Sequence, residues 1–336
     1  MRTVVIAFAF LAAALVVACA GPPAPAPVPA TAADTEPGAA EEPRWRWTDY
    51  EIVGQRELTR EEVASHLPDL LGQPYEADRE MVGACGEALE AALDVAEASC
   101  SWVTFFTGEA YLLAEIVERG EEWRTETPAA PEGQVELATP ELVATYEALK
   151  EQLWANYRNG VEMGENSDAG HLDYREPQMH AYVETLHAEL PHHRDNLLAV
   201  LAGDADAEDR AAAAWMLNWA GDLAGSAAAV AGSINDPNGL VRNDVSRFLI
   251  YALPHVDDRA TLRALVDELA VQLARPSHGD RNKAIYSLKA VLEKAPDLAP
   301  YVEEKAGEWI DRVAAQSILS NVGGTAQEVR ALLGEG

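Results

Sequence analysis

Three segments in the second half of this 336-residue chain repeat one another: Arg210–Leu217 (RAAAAWML), Arg242–Leu249 (RNDVSRFL) and Arg281–Leu288 (RNKAIYSL). Each opens on Arg, carries a small or branched apolar residue three positions on, and has Leu seven positions on. The arginines fall 32 and 39 residues apart. A unit of that length holds a helix pair, which cannot bury its apolar stripe alone and must stack on its neighbours. In the repeat anchored by Arg242, the stripe expected to be buried is Val245, Phe248, Leu249 and Ala252, with Asp244, Arg247 and Tyr251 opposite. Equivalent positions in the flanking repeats extend this to an outward ridge of Trp215, Trp219, Arg247, Tyr251, Lys283 and Tyr286. Aromatic and basic side chains are what binding hot spots favour, so these six are the candidate residues for holding a protein partner. The other outcome for such aromatics is to tuck between repeats as core.

An Asp stands six residues before each of the first two arginines, at Asp204 and Asp236. With the run DPNGLVRN over Asp236–Asn243, the pattern resembles HEAT-repeat proteins. That resemblance covers residues 175–334 and implies an α-helical solenoid with an extended concave binding face. It also implies a structural ladder in which Asp204, Arg210, Asp236, Arg242 and Arg281 hydrogen-bond between stacked repeats. The third repeat departs, because position 275 is Arg, although Asp280 adjoins Arg281.

At the other end, Arg2 precedes an apolar run from Val4 to Val17 that closes on Val16-Val17-Ala18-Cys19. The run is too short to span a ~30 Å hydrocarbon core and has the order of a secretory signal. Residues 1–18 with Cys19 resemble a bacterial lipoprotein signal, which implies cleavage before Cys19 and a diacylglycerol on its thiol. An ordinary signal peptide ending beside an incidental Cys is the alternative. Ala20, in place of Asp, implies by the family's sorting rule passage to the outer membrane of a Gram-negative cell. Residues 19–43 are Pro/Ala-rich and read as a tether reaching roughly 70 Å if extended. The net charge of −31 repels nucleic-acid phosphates and anionic headgroups. Neither is an expected partner, and membrane attachment is expected through the lipid on Cys19. Lipidation leaves Cys85 and Cys100, expected to form a disulfide in an oxidising compartment.

Residues 44–120 read strand, helix, helix, strand, strand. Tyr50–Gly54 is a short strand, Thr59 and Glu62 form a capping box, and Asp78 caps a helix with Met81, Cys85, Leu89 and Ala92 at helical spacing. Ala96–Phe106 and Ala110–Val117 alternate about Thr107-Gly108-Glu109, a hairpin signal. Cys100 shares a face with Ala98 and Trp102, which aims it at the helix carrying Cys85. The order, with YEIVG and YLLAEIVERGE, resembles a POTRA domain, and implies strand addition at a sheet edge as a binding mode. Residues 121–138 read as a polar linker, and 139–334 as helical, opening on Thr139-Pro140.

Five of the eight histidines lie between His171 and His193. On one helix, His180, Glu184 and His187 share a face whose types suit zinc, but no H-E-x-x-H is present. The loop Gly160–Gly170 carries Glu162, Glu165 and Asp168 without the oxygen spacing of a Ca²⁺ loop. No nucleophile elbow, P-loop or dinucleotide motif occurs. The expected fold is mainly α: a small α+β (β-α-α-β-β) unit followed by the helical repeats. The expected function is a non-catalytic, membrane-anchored scaffold without catalytic residues, metal or cofactor. A metal-dependent hydrolase built on His180, Glu184 and His187 is the alternative.

Overall fold

The computed structural model describes residues 45–335 apart from 77–78, 106 and 167–169. The expected signal, Cys19 and the tether, together with Asp78, Phe106 and Asp168, lie outside the described residues. The chain is mainly helical with a small three-stranded sheet, and its first elements follow the predicted order: β1 (Arg46–Val53), α1 (Arg60–Ala64), α2 (Arg79–Ala92), β2 (Val95–Thr104) and β3 (Glu109–Glu118). At the start of α1, Thr59 accepts from the Glu62 N–H while the Glu62 carboxylate accepts from the Thr59 N–H, the reciprocal capping box. Strand order is β1-β3-β2, with β1 parallel and β2 antiparallel to β3.

Alternation gives the sheet two faces with different tasks. Ala110, Leu112, Ala114 and Ile116 are fully buried in a small core with Val63, Cys85 and Leu89. Cys100 pairs with Ala114 across the sheet and is bonded to Cys85 of α2, Cα to Cα 5.9 Å. Closing a loop of this length contributes ~3 kcal/mol in the chain-entropy picture. On the other face Leu113 joins a second, larger core made by the helices.

Those helices are α3 (Pro140–Asn159), α4 (Pro177–Glu189), α5 (Arg194–Gly203), α6 (Ala207–Met216), α7 (Leu223–Ala229), α8 (Gly239–Ala252), α9 (Arg259–Ala274), α10 (His278–Lys294), α11 (Ala299–Gln316) and α12 (Thr325–Glu335). Two short strands, β4 (Glu165–Asn166) and β5 (Asp173–Tyr174), pair between α3 and α4. Asp206, Asn238, Asp258 and Ser277 cap α6, α8, α9 and α10, each contributing ~1 kcal/mol. In the repeat zone α6 packs on α8, α8 on α10 and α10 on α12, while α9 touches both α10 and α11. Val245, Phe248, Leu249 and Ala252 are all fully buried, as the periodicity predicts. Among the described residues no helix is long and apolar enough to cross a membrane.

The sheet is docked on this array through its second face. The Glu115 carboxylate accepts from the His278 N–H at 2.7 Å, at the start of α10, and Glu51 accepts from the Ile318 N–H at 3.0 Å. Gly54, at φ +99°, lies so close to Pro276 that a Cβ would meet the proline ring at 2.6 Å. The segment 121–138, expected as a linker, is bonded along the helices. Arg124 donates to Ala274 O and Gly54 O, and Ala138 N donates to Asn196.

Candidate functional site: a cleft floored by the repeat helices

The repeat arginines set the spacing of the helices that build the site. Arg210 binds Asp236 through two bonds of 3.0 and 2.9 Å and donates to the Asp204 carbonyl at 2.9 Å. Arg242 repeats this one unit on, with Asp280 at 2.9 Å and the Asp236 carbonyl at 3.0 Å. Asp280 thus receives the arginine of the preceding repeat, while the Asp204 carboxylate accepts from the Val135 and Asp206 N–H groups. Arg281 donates to the Arg275 carbonyl at 2.9 Å and is 4% exposed. Burial, together with Arg124 and Arg312 nearby, pushes its guanidinium down to about 9 against the pull of Glu51 and Glu115.

The predicted ridge is corrected in two ways. Trp219 is not outward: it is fully buried, and its indole N–H donates to Leu172 O at 2.7 Å. Trp215 is 9% exposed, and Asp244, placed opposite the buried stripe by periodicity, is 4% exposed. The physical reason is the β4–β5 hairpin. It lies over the ridge, with Leu172 on Trp219 and Glu165 accepting from the Tyr251 hydroxyl at 2.8 Å. What would be a convex row becomes a cleft of about 320 Å³. Trp215, Arg247, Tyr251, Lys283 and Tyr286 all line it, so five of the six predicted residues are brought together. Its remaining wall is supplied by Glu165, Leu172, Tyr174, Asn218, Ile250, Asn282 and Asn321. Of these, Asn282 lies inside a repeat segment and Glu165 in the acidic loop. Tyr174, Asn218 and Asn321 carry no periodic signal that could have singled them out.

The cleft is cationic at its centre. The Arg247 guanidinium lies over the Trp215 ring, 5.1 Å from its centroid. Burial first, then Arg247 beside it, brings the Lys283 ammonium down to about 8. Asp244 beneath is pushed up to about 6 by burial, although Arg247 opposes this. Burial also raises the Tyr174 and Tyr251 phenols, with Glu165 adding to both.

The histidine face is not assembled as one site. His180 Nδ1 sits 2.9 Å from Asp173 and Nε2 3.6 Å from Glu184, whereas His187 stacks on His171 with centroids 3.9 Å apart. Asp173 raises the His180 pKa by its hydrogen bond. Among the described residues no group of three or more His, Cys, Asp or Glu is placed to hold a metal ion. Compared with protein-family models, curated proteins and solved structures, the chain matches none.

Proposed function

We propose that this chain is a non-catalytic binding scaffold of the bacterial envelope, anchored through lipid on Cys19, that holds a polypeptide partner in the cleft. The observation that carries the reading is the convergence of Trp215, Arg247, Tyr251, Lys283 and Tyr286 on one concavity. Aromatic and basic anchors gathered in a partly enclosed pocket are what a partner segment inserts into. The inter-repeat bonds of Arg210 and Arg242 support a HEAT-like solenoid for the helical array. The strand-helix-helix-strand-strand order supports a POTRA-like reading of the sheet unit.

A photoreactive phenylalanine at position 286 of the full chain, activated in intact cells, tests the reading. A discrete polypeptide adduct that disappears with Arg247→Gln is expected. Absence of any polypeptide adduct overturns the scaffold, and envelope attachment that persists in Cys19→Ser overturns the anchor.

A further inference from the structure

The cleft's polar lining is not satisfied by the protein itself. Tyr174 Oη, Asn218 Oδ1, Arg247 Nε, Asn282 Oδ1 and Asn321 Oδ1 are all buried without a hydrogen-bond partner among the described residues, and all belong to cleft-lining residues. Buried polar atoms are nearly always paired, so five among the residues of one cleft call for donors and acceptors that the protein does not supply. Tyr174 and Asn218 are only 1% and 2% exposed. Asn218 Nδ2 donates to Trp215 O at 2.8 Å, which leaves the carbonyl end as the unpaired one. Nor do the cleft's two cations have a contact ion pair among the described residues, Glu165 and Asp244 acting on Lys283 only at longer range. Arg210 and Arg242 each have an aspartate, but neither Arg247 nor Lys283 makes an ion pair among the described residues. The nearby carboxylates each accept a neutral donor, Glu165 the Tyr251 hydroxyl and Asp244 the Asn243 amide, and neither touches Arg247 or Lys283 within ion-pair distance.

We infer that the cleft takes a carboxylate-bearing peptide segment, with the carboxylate on Arg247 and Lys283 and peptide N–H groups on Asn218, Asn282 and Asn321. This rests on the polypeptide reading above and adds the chemistry recognised. A simple anion would use the donors and leave unpaired the Asn218 oxygen, which the bond from its Nδ2 to Trp215 fixes in place. A sugar acid would offer hydroxyls to the same oxygens and is an outcome of the test. The volume, about 320 Å³, is at the low end for ligand sites and admits a short extended segment rather than a helix.

Calorimetric titration of the purified full chain in detergent micelles tests this with three N-acetylated tetrapeptides. One carries an internal Glu and an amidated end, one is all Ala with a free C-terminus, and one is all Ala and amidated. The expected result is that at least one carboxylate peptide binds about tenfold or more tighter than the neutral one. Arg247→Gln should remove that preference, while Asn282→Ala weakens binding with the preference kept. Which carboxylate peptide wins tells a side chain from a chain end. Lys283→Gln serves in place of Arg247→Gln if the latter shifts the melting temperature. Equal binding of the three peptides, no binding of any, or binding of a uronic-acid oligosaccharide in their place overturns the inference. A polypeptide adduct at position 286 without carboxylate preference sinks only the ligand chemistry, whereas loss of the adduct sinks the scaffold reading itself.

Discussion

Arg210 and Asp236 meet with side chains only 2% and 5% exposed, so both charges are out of water and neither can be removed cheaply. Breaking such a pair leaves an uncompensated buried charge, at a cost of about 3–5 kcal/mol. Asp236→Ala should lose that much in denaturant unfolding, the more so because its carboxylate also accepts from the Asn238 N–H. Asp297→Ala, which removes the exposed partner of Arg259, should lose under ~1 kcal/mol. Equal losses for the two would mean that the inter-repeat pair is no more than a surface contact. The arginines and two of their aspartates are legible in the sequence as a recurring offset. Bonding between repeats is implied by the resemblance, but which carboxylate each arginine meets is not legible, because the offset of six is local while each partner comes from the next repeat. That is why Asp280, which stands beside Arg281, receives Arg242 instead.

At the level of elements, periodicity on α6, α8 and α10 tells which residues share a side, but not what lies over that side. The segment between α3 and α4 reads as a Gly, Asn and Asp loop, with little apolar content to announce that it packs. Leu172 and Tyr174 are the exceptions, 3% and 1% exposed, and they bring the hairpin down on the ridge. Trp219 therefore belongs to the core and Tyr286 to the cleft wall, although the repeat pattern treats them alike. Trp219→Ala should cost about 3–5 kcal/mol, as large aromatic truncations in cores do. Tyr286→Ala should cost less than half of that. If both variants melt alike, the hairpin does not cover Trp219. The same comparison explains why five ridge residues reach one site: helix phase is written in the sequence, and the cleft forms wherever that phase meets the hairpin.

The molecule as a whole is held together across a seam that is unusually rich in buried ionisable groups. Facing Glu115 of β3 are His278, Asp280 and Arg281 from α10, Ser99 of β2 on its own sheet, and Glu51 of β1 further along the seam. Burial pushes the Glu115 carboxyl up to about 7, with the His278 N–H pulling the other way and Asp280 adding to the rise. A carboxyl raised on folding binds more protons in the native state than in the unfolded one. Its contribution is therefore most favourable below the unfolded value and falls as pH rises toward and through about 7. His278 is pushed down to about 4 by burial and runs the opposite way, costing stability as pH falls below its unfolded value of about 6.5. Between about pH 6.5 and 8 His278 and Lys283, the latter brought down to about 8, also titrate in one state or the other, so Glu115 is isolated only by comparison with a variant that lacks its carboxyl. Glu115→Gln keeps an acceptor for the His278 N–H while removing the titration. The difference in unfolding free energy between variant and native chain should therefore grow in the variant's favour across that interval and flatten above it. His180, raised by Asp173 and present in both proteins, cancels in the difference. A difference that stays constant from pH 6.5 to 8 would mean that the sheet is not seated on α10 through Glu115. The solvation penalty that couples the two parts of the chain would then have to lie elsewhere in the seam, with Glu51, also raised by burial, the next group to replace.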